Sequence, residues 1–110
     1  MDNADKIAMV ERYVEAFEKG DVEIIRSMYA QDAVVEDPVG TDAHHGALGA
    51  GAKLRLSGQA RCAGNAVAFP FHVVMPGMQI DVIDVFEFND EGKISSMKAY
   101  WGPDNLRKDG

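Results

Sequence analysis

The chain has 110 residues, with hydrophobic residues at 46% and charged residues at 26%. That is the composition of one globular domain spanning residues 1–110, and it excludes a disordered chain. Acidic residues exceed basic ones by 18 − 11 = 7, which argues against nucleic acid and against an anionic membrane surface as partners. The single cysteine, Cys62, excludes an internal disulfide and a cysteine-based zinc site. No apolar run reaches the length of a membrane span, and no signal-peptide core follows Met1, so a cytoplasmic location is expected.

The first element expected is a helix over residues 5–19. At roughly 100° per residue, Glu11, Arg12, Glu15, Glu18 and Lys19 gather on one arc. Ile7, Met9, Val10, Tyr13, Val14, Ala16 and Phe17 gather on the other, with Lys6 as the exception. Asp2 or Asn3 suits the N-cap and Gly20 the C-terminal stop. Asp21 opens a second helix over residues 22–29.

Residues 33–37 read as a short strand, with Ala33, Val35 and Asp37 on one face. Pro38 holds Asp37 extended and ends the strand. Residues 39–52 lack a period and read as a loop, in which the adjacent His44 and His45 point apart and have no third ligand at metal spacing. Four strands are expected after it, over residues 53–63, 66–75, 78–88 and 93–101. Turns fall at Gly64-Asn65, Pro76-Gly77 and Asn89 to Gly92. The polar tail, residues 102–110, is expected to be loose. Helices followed by antiparallel strands make an α+β fold in which a curved sheet wraps over the helices and leaves an apolar concavity.

Three groups in this pattern carry chemistry. The strand over residues 78–88 has one face reading Met78, Ile80, Val82, Asp84, Phe86, Phe88. Asp84 is the one polar group on it. Burying an ionised carboxylate costs several kcal/mol, so an unpaired Asp84 keeps its proton and becomes a hydrogen-bond donor. A cation from a neighbouring strand (Arg55, Arg61 or Lys98) would remove that inference, as would a shifted register. Tyr13 places a phenol on the apolar arc of its helix, where a backbone carbonyl is the plain alternative partner. Tyr29 is core by its helical spacing. Asp37, at a strand end before proline, is either a turn former or a general base at the mouth of the cavity. Taken together, a base facing two neutral donors across an apolar pocket suits proton abstraction beside a carbonyl. Such chemistry needs no metal or cofactor.

The strings Arg12-Tyr13, Met28-Tyr29-Ala30, Val35-Glu36-Asp37-Pro38-Val39-Gly40, His45-Gly46, Phe69-Pro70-Phe71, Asp81-Val82-Ile83-Asp84-Val85 and Ala99-Tyr100-Trp101 occur in order, within a resemblance that runs over about residues 7–106. In that order they resemble bacterial ketosteroid isomerase, of the nuclear transport factor two-like superfamily. The resemblance implies a cone-shaped α+β fold and a homodimer. It also implies transfer of the double bond of a β,γ-unsaturated 3-ketosteroid into conjugation, with Asp37 moving the proton from C4 to C6. Tyr13 and protonated Asp84 would donate to the dienolate oxygen, and Tyr29 would support Tyr13. An uncharged aspartate is already known for that family; the lone acid on an apolar face is what this sequence adds. Phe17, Phe69, Phe71, Val73, Val82, Phe86, Met97, Ala99 and Trp101 are expected to line a steroid cavity.

One departure stands out. After His45-Gly46 the family carries an amphipathic helix with a Phe-Tyr pair, whereas here the chain passes to Ala47-Leu48-Gly49. About ten residues, roughly three turns, are absent. Either the segment is truly deleted, leaving a reduced domain, or residues are missing between Gly46 and Ala47. Loss of the helix would uncover much of the apolar face, which favours missing residues; a Cα separation of about 3.8 Å would favour deletion. Two other functions fit the fold. One is a dehydratase or cyclase, which would need a histidine (His72 or His45) or a second base in the cavity; the other is a non-catalytic steroid binder.

Overall fold

The computed structural model describes residues 1–40 and 53–108. The His44-His45 pair, the Gly46 to Gly51 run and the Gly46–Ala47 junction lie outside the described residues.

Helix α1 (Asn3–Lys19) starts at a reciprocal cap. Asp2 accepts from the Asp5 N–H at 2.8 Å, and Asp5 accepts from the Asp2 N–H at 3.3 Å. It stops at Gly20, whose φ of 67° is a left-handed conformation that glycine adopts without strain. Lys6, the exception on the helical wheel, is buried. Its Nζ donates to the Gly64 carbonyl at 2.6 Å and so ties the helix to a sheet turn. Asp21 caps α2 (Val22–Met28) through the Ile24 N–H at 3.2 Å.

Among the described residues seven strands follow: β1 (Tyr29–Glu36), β2 (Lys53–Leu56), β3 (Arg61–Ala63), β4 (Ala66–Met75), β5 (Met78–Phe88), β6 (Ile94–Tyr100) and β7 (Leu106–Lys108). The sheet order is β1-β6-β5-β4-β2, with β3 on β4 and β7 on β5. Only the β1–β6 pair is parallel among the described strands. The inner face carries Val67, Phe69, Phe71, Val82, Phe86 and Met97 against Val10, Tyr13 and Phe17 of α1 and Met28 of α2. This is the α+β arrangement expected, two helices on a curved, mainly antiparallel sheet. Among the described residues no helix is long and apolar enough to cross a membrane.

Several boundaries differ from those expected: β1 starts four residues before Ala33 and ends one short of Asp37, and the ends of α1 and β6 move by one or two residues. Three further differences have a physical reason. Tyr29 belongs to β1, not to α2, because its extended backbone pairs with Ile94 and the ladder overrides a one-residue helix extension. The strand expected over residues 53–63 is two strands. β2 pairs with β4 from Phe71 onward and β3 pairs with it up to Ala68. The break falls opposite Pro70, whose carbonyl accepts from the Ser57 N–H at 3.0 Å but which has no N–H to return. The tail is not loose through residue 108. A 3₁₀ turn (Pro103–Asn105) leads into β7, which places Leu106 beside Ile80 and Arg107 beside Gln79.

Candidate active site

Register decides which groups meet. Asp84 pairs with Phe69 on one side and Ala99 on the other, and all three are buried on the inner face. β1 runs beside β6 with Val35 next to Met97 and Glu36 next to Lys98, which delivers Asp37 to the level of Ala99. There the Ala99 carbonyl accepts from the Val39 N–H at 2.9 Å. The two aspartates therefore sit two strands apart, with backbones roughly 10 Å from each other. Asp37 shares the parity of Val35, which packs on the core.

Tyr13 reaches the same face from above. Its ring meets Phe86 edge-on with centroids 5.2 Å apart, and meets Phe69 and Phe17 at 6.3 and 6.2 Å. These rings fix the phenol by shape, since Phe69 and Phe86 are fully enclosed. Burial is the main reason that the Tyr13 hydroxyl is held well above its usual range, and Tyr29, Asp84 and Asp37 push the same way. Tyr29 is raised by burial, then by Asp84 and Asp37. The hydroxyls and carboxyls thus act on one another through a low-dielectric space. No hydrogen bond joins Tyr29 to Tyr13 among the described residues.

Asp84 is 2% exposed, and its Oδ1 has no hydrogen-bond partner. No ion pair reaches it among the described residues. Arg55 and Lys98 stand beside His72 and Val85, on the opposite face of the sheet, and Arg61 is exposed. Burial, and then the nearby Asp37, raise its carboxyl well above the ordinary carboxylate range. The sign of the linkage follows. The folded state binds the Asp84 proton more tightly than the unfolded chain does. Stability is therefore lost as pH rises above the unfolded value, and the loss continues until the folded value is passed. Asp84→Asn is expected to raise the urea midpoint at pH 8 relative to the parent chain and to flatten the decline between pH 5 and pH 8. Equal midpoint shifts at both pH values would mean that Asp84 is not held protonated.

The remaining expected residues divide by place. Phe17, Phe69, Phe71, Val82, Phe86, Met97 and Ala99 are buried, and Val73 and Trp101 pack partly buried against them. Phe71, Val82 and Trp101 also border a cavity of about 410 Å³. Trp101 does more than line it: its indole Nε1–H donates to Asp37 Oδ1 at 2.8 Å. The sequence pattern assigns Trp101 only to the cavity wall. Its position one row from Ala99 on the inward parity was the available signal. His72 faces away from this space and bonds Asp81 Oδ1 at 2.7 Å. The histidine that a dehydratase or cyclase would enlist is thus on the outer side; His45 lies outside the described residues.

A family model described as a SnoaL-like domain matches residues 10–97. The steroid Delta-isomerase of Nocardioides simplex is 39% identical over 119 aligned residues, covering 94% of this chain and 95% of that protein. The alignment exceeds the chain by 119 − 110 = 9 positions, so at least that many have no residue here. A solved structure of SalBIII superposes with a TM-score of 0.87 at 28% identity, covering 97% of this chain and 98% of that chain. SalBIII is described as an epoxide hydrolase/cyclase-like enzyme with a role in pyran ring formation in the polyether salinomycin. Fold, motif order and these similarities agree: the chain belongs to the SnoaL-like domain family, within the nuclear transport factor two-like fold.

Proposed function

We propose that the chain isomerises a β,γ-unsaturated 3-ketosteroid to the conjugated ketone through a dienolate. Asp37 removes the C4 proton and returns it at C6. Tyr13 and uncharged Asp84 donate hydrogen bonds to the ketone oxygen as negative charge gathers on it. The observation that carries this reading is the buried Asp84 carboxyl, with Oδ1 unpartnered, on the same inner face as Asp37. An unmet polar atom in a core costs free energy that a substrate oxygen would recover. Similarity to a steroid Delta-isomerase supports the substrate class. The test is to mix purified protein with a β,γ-unsaturated 3-ketosteroid and follow the ultraviolet absorbance of the conjugated product. Binding without turnover would leave a steroid-binding protein.

A neutral acid facing a base also suits ring closure onto a polarised electrophile, and the likeness to SalBIII favours that as the second reading. Turnover of an epoxide substrate with none of the steroid would select it.

The reading includes a homodimer. Ile83 and Tyr100, on the outer face, are 47% and 48% exposed, and Val85 lies two residues along the same strand face. Both helices pack on the other side, so a second copy is the proposed cover for this patch. Ile83→Glu is expected to convert a dimer to a monomer in sedimentation equilibrium. A monomeric parent chain would remove the dimer from the reading.

A further inference from the structure

β5 has a break along one edge. β6 pairs with it from Ile83 onward and β7 pairs with its first residues, Met78 to Ile80. Trp101 and the 3₁₀ turn bridge the interval. The cavity of about 410 Å³ lies at this break, bordered by Asp81, Val82, Trp101 and Asn105. Trp101 lines this space while it packs partly buried against the core. Its indole meets Asp37 Oδ1 at hydrogen-bond distance. Keeping that contact requires a fixed position of the backbone that bears the ring.

Two sets of contacts pin it. The turn is closed on itself: Gly102 N–H donates to Asn105 Oδ1 and Asn105 N–H to the Gly102 carbonyl, both at 2.9 Å. Beyond it, Arg107 Nη2 donates to Asp81 Oδ2. Asp81 is itself fixed, since Oδ1 accepts from Gln79 Nε2 at 3.2 Å and bonds His72 Nδ1 at 2.7 Å. Arg107 foremost keeps the Asp81 carboxyl below its ordinary range, so the pair is ionic at neutral pH. The expected activity of this domain does not otherwise use these residues.

We infer that Arg107 and Asp81 form a latch that holds the C-terminal strap on β5 and thereby seats Trp101 against Asp37. They are positioning residues, and their effect on turnover rests on the isomerase reading with Asp37 as base. The latch itself does not rest on that reading. Displacing a positioned group by even about 1 Å can cost up to 10²-fold in rate.

Trp101 is the one tryptophan of the chain, so its indole N–H gives a single nitrogen–proton NMR signal. The Arg107 side chain is 65% exposed, so Arg107→Met is expected to fold. In the parent chain the signal is expected downfield, as for a proton donated to a carboxylate, and Asp37→Asn moves it. Arg107→Met is expected to move it the same way or broaden it, and Arg107→Lys to restore most of it. On the steroid, Arg107→Met is expected to lower kcat about tenfold with KM within about twofold, the pattern of a lost transition-state alignment. An indole signal unmoved by Arg107→Met would overturn the latch. A moved signal with unchanged kcat would overturn its role in positioning the base. If the parent chain does not turn over the steroid, the isomerase reading fails, and the indole signal alone decides whether the latch seats Trp101.

Discussion

Asp37→Asn is expected to lower kcat by about 10²- to 10⁴-fold, or about 3 to 5 kcal/mol in the barrier, and Asp84→Asn by much less. The two changes look alike on paper, since each replaces a carboxyl by an amide of nearly the same shape. They differ in what the environment asks of each group. Asp37 is half-buried at a strand end and accepts an indole N–H, as a carboxylate does. An amide there cannot take up a proton from carbon. Asp84 is enclosed among apolar side chains, and burial keeps its proton on. An amide there still donates a hydrogen bond to an oxygen. Steady-state rates on a β,γ-unsaturated 3-ketosteroid decide the matter, and equal losses in the two variants would refute the division of roles.

Phe86→Ala is expected to destabilise the fold by about 3–5 kcal/mol, a large part of what a domain of this size has. Phe86 is fully buried and touches three rings: Phe69 at 5.0 Å, Tyr13 at 5.2 Å and Phe88 at 6.2 Å. Truncation leaves a hole between α1 and the centre of the sheet that backbone shifts cannot fill without moving both. The urea midpoint should fall with the slope unchanged. Any folded remainder should also lose activity out of proportion to its population, because Tyr13 leans on the missing ring. A loss below about 1 kcal/mol would mean that the helix and sheet repack freely around this position.

Much of this was legible in the sequence because it rests on period and parity. The alternation of residues 78–88 put Asp84 inward, and the helical wheel did the same for Tyr13. Both are buried where those patterns place them. What stayed hidden depended on contacts between distant segments. Nothing local in the tail announces β7; Leu106 is its only apolar residue, and the strand exists because β5 has an unpaired stretch to receive it. Lys6 broke the wheel because its amine had a carbonyl waiting on Gly64, 58 residues away. The Trp101 contact to Asp37 spans 64 residues and could not be read from either neighbourhood. The division of residues 53–63 was more accessible, since Pro70 stands in the strand that both pieces join.

The parallel pairing of β1 with β6 has a consequence for the newly made chain. Val35 finds Met97 only after the ribosome has added some sixty further residues, and the indole that meets Asp37 comes later still. During synthesis, the segment up to Asp37 waits for the strand that β1 pairs with. The proposed base gains its indole partner only once Trp101 has been added.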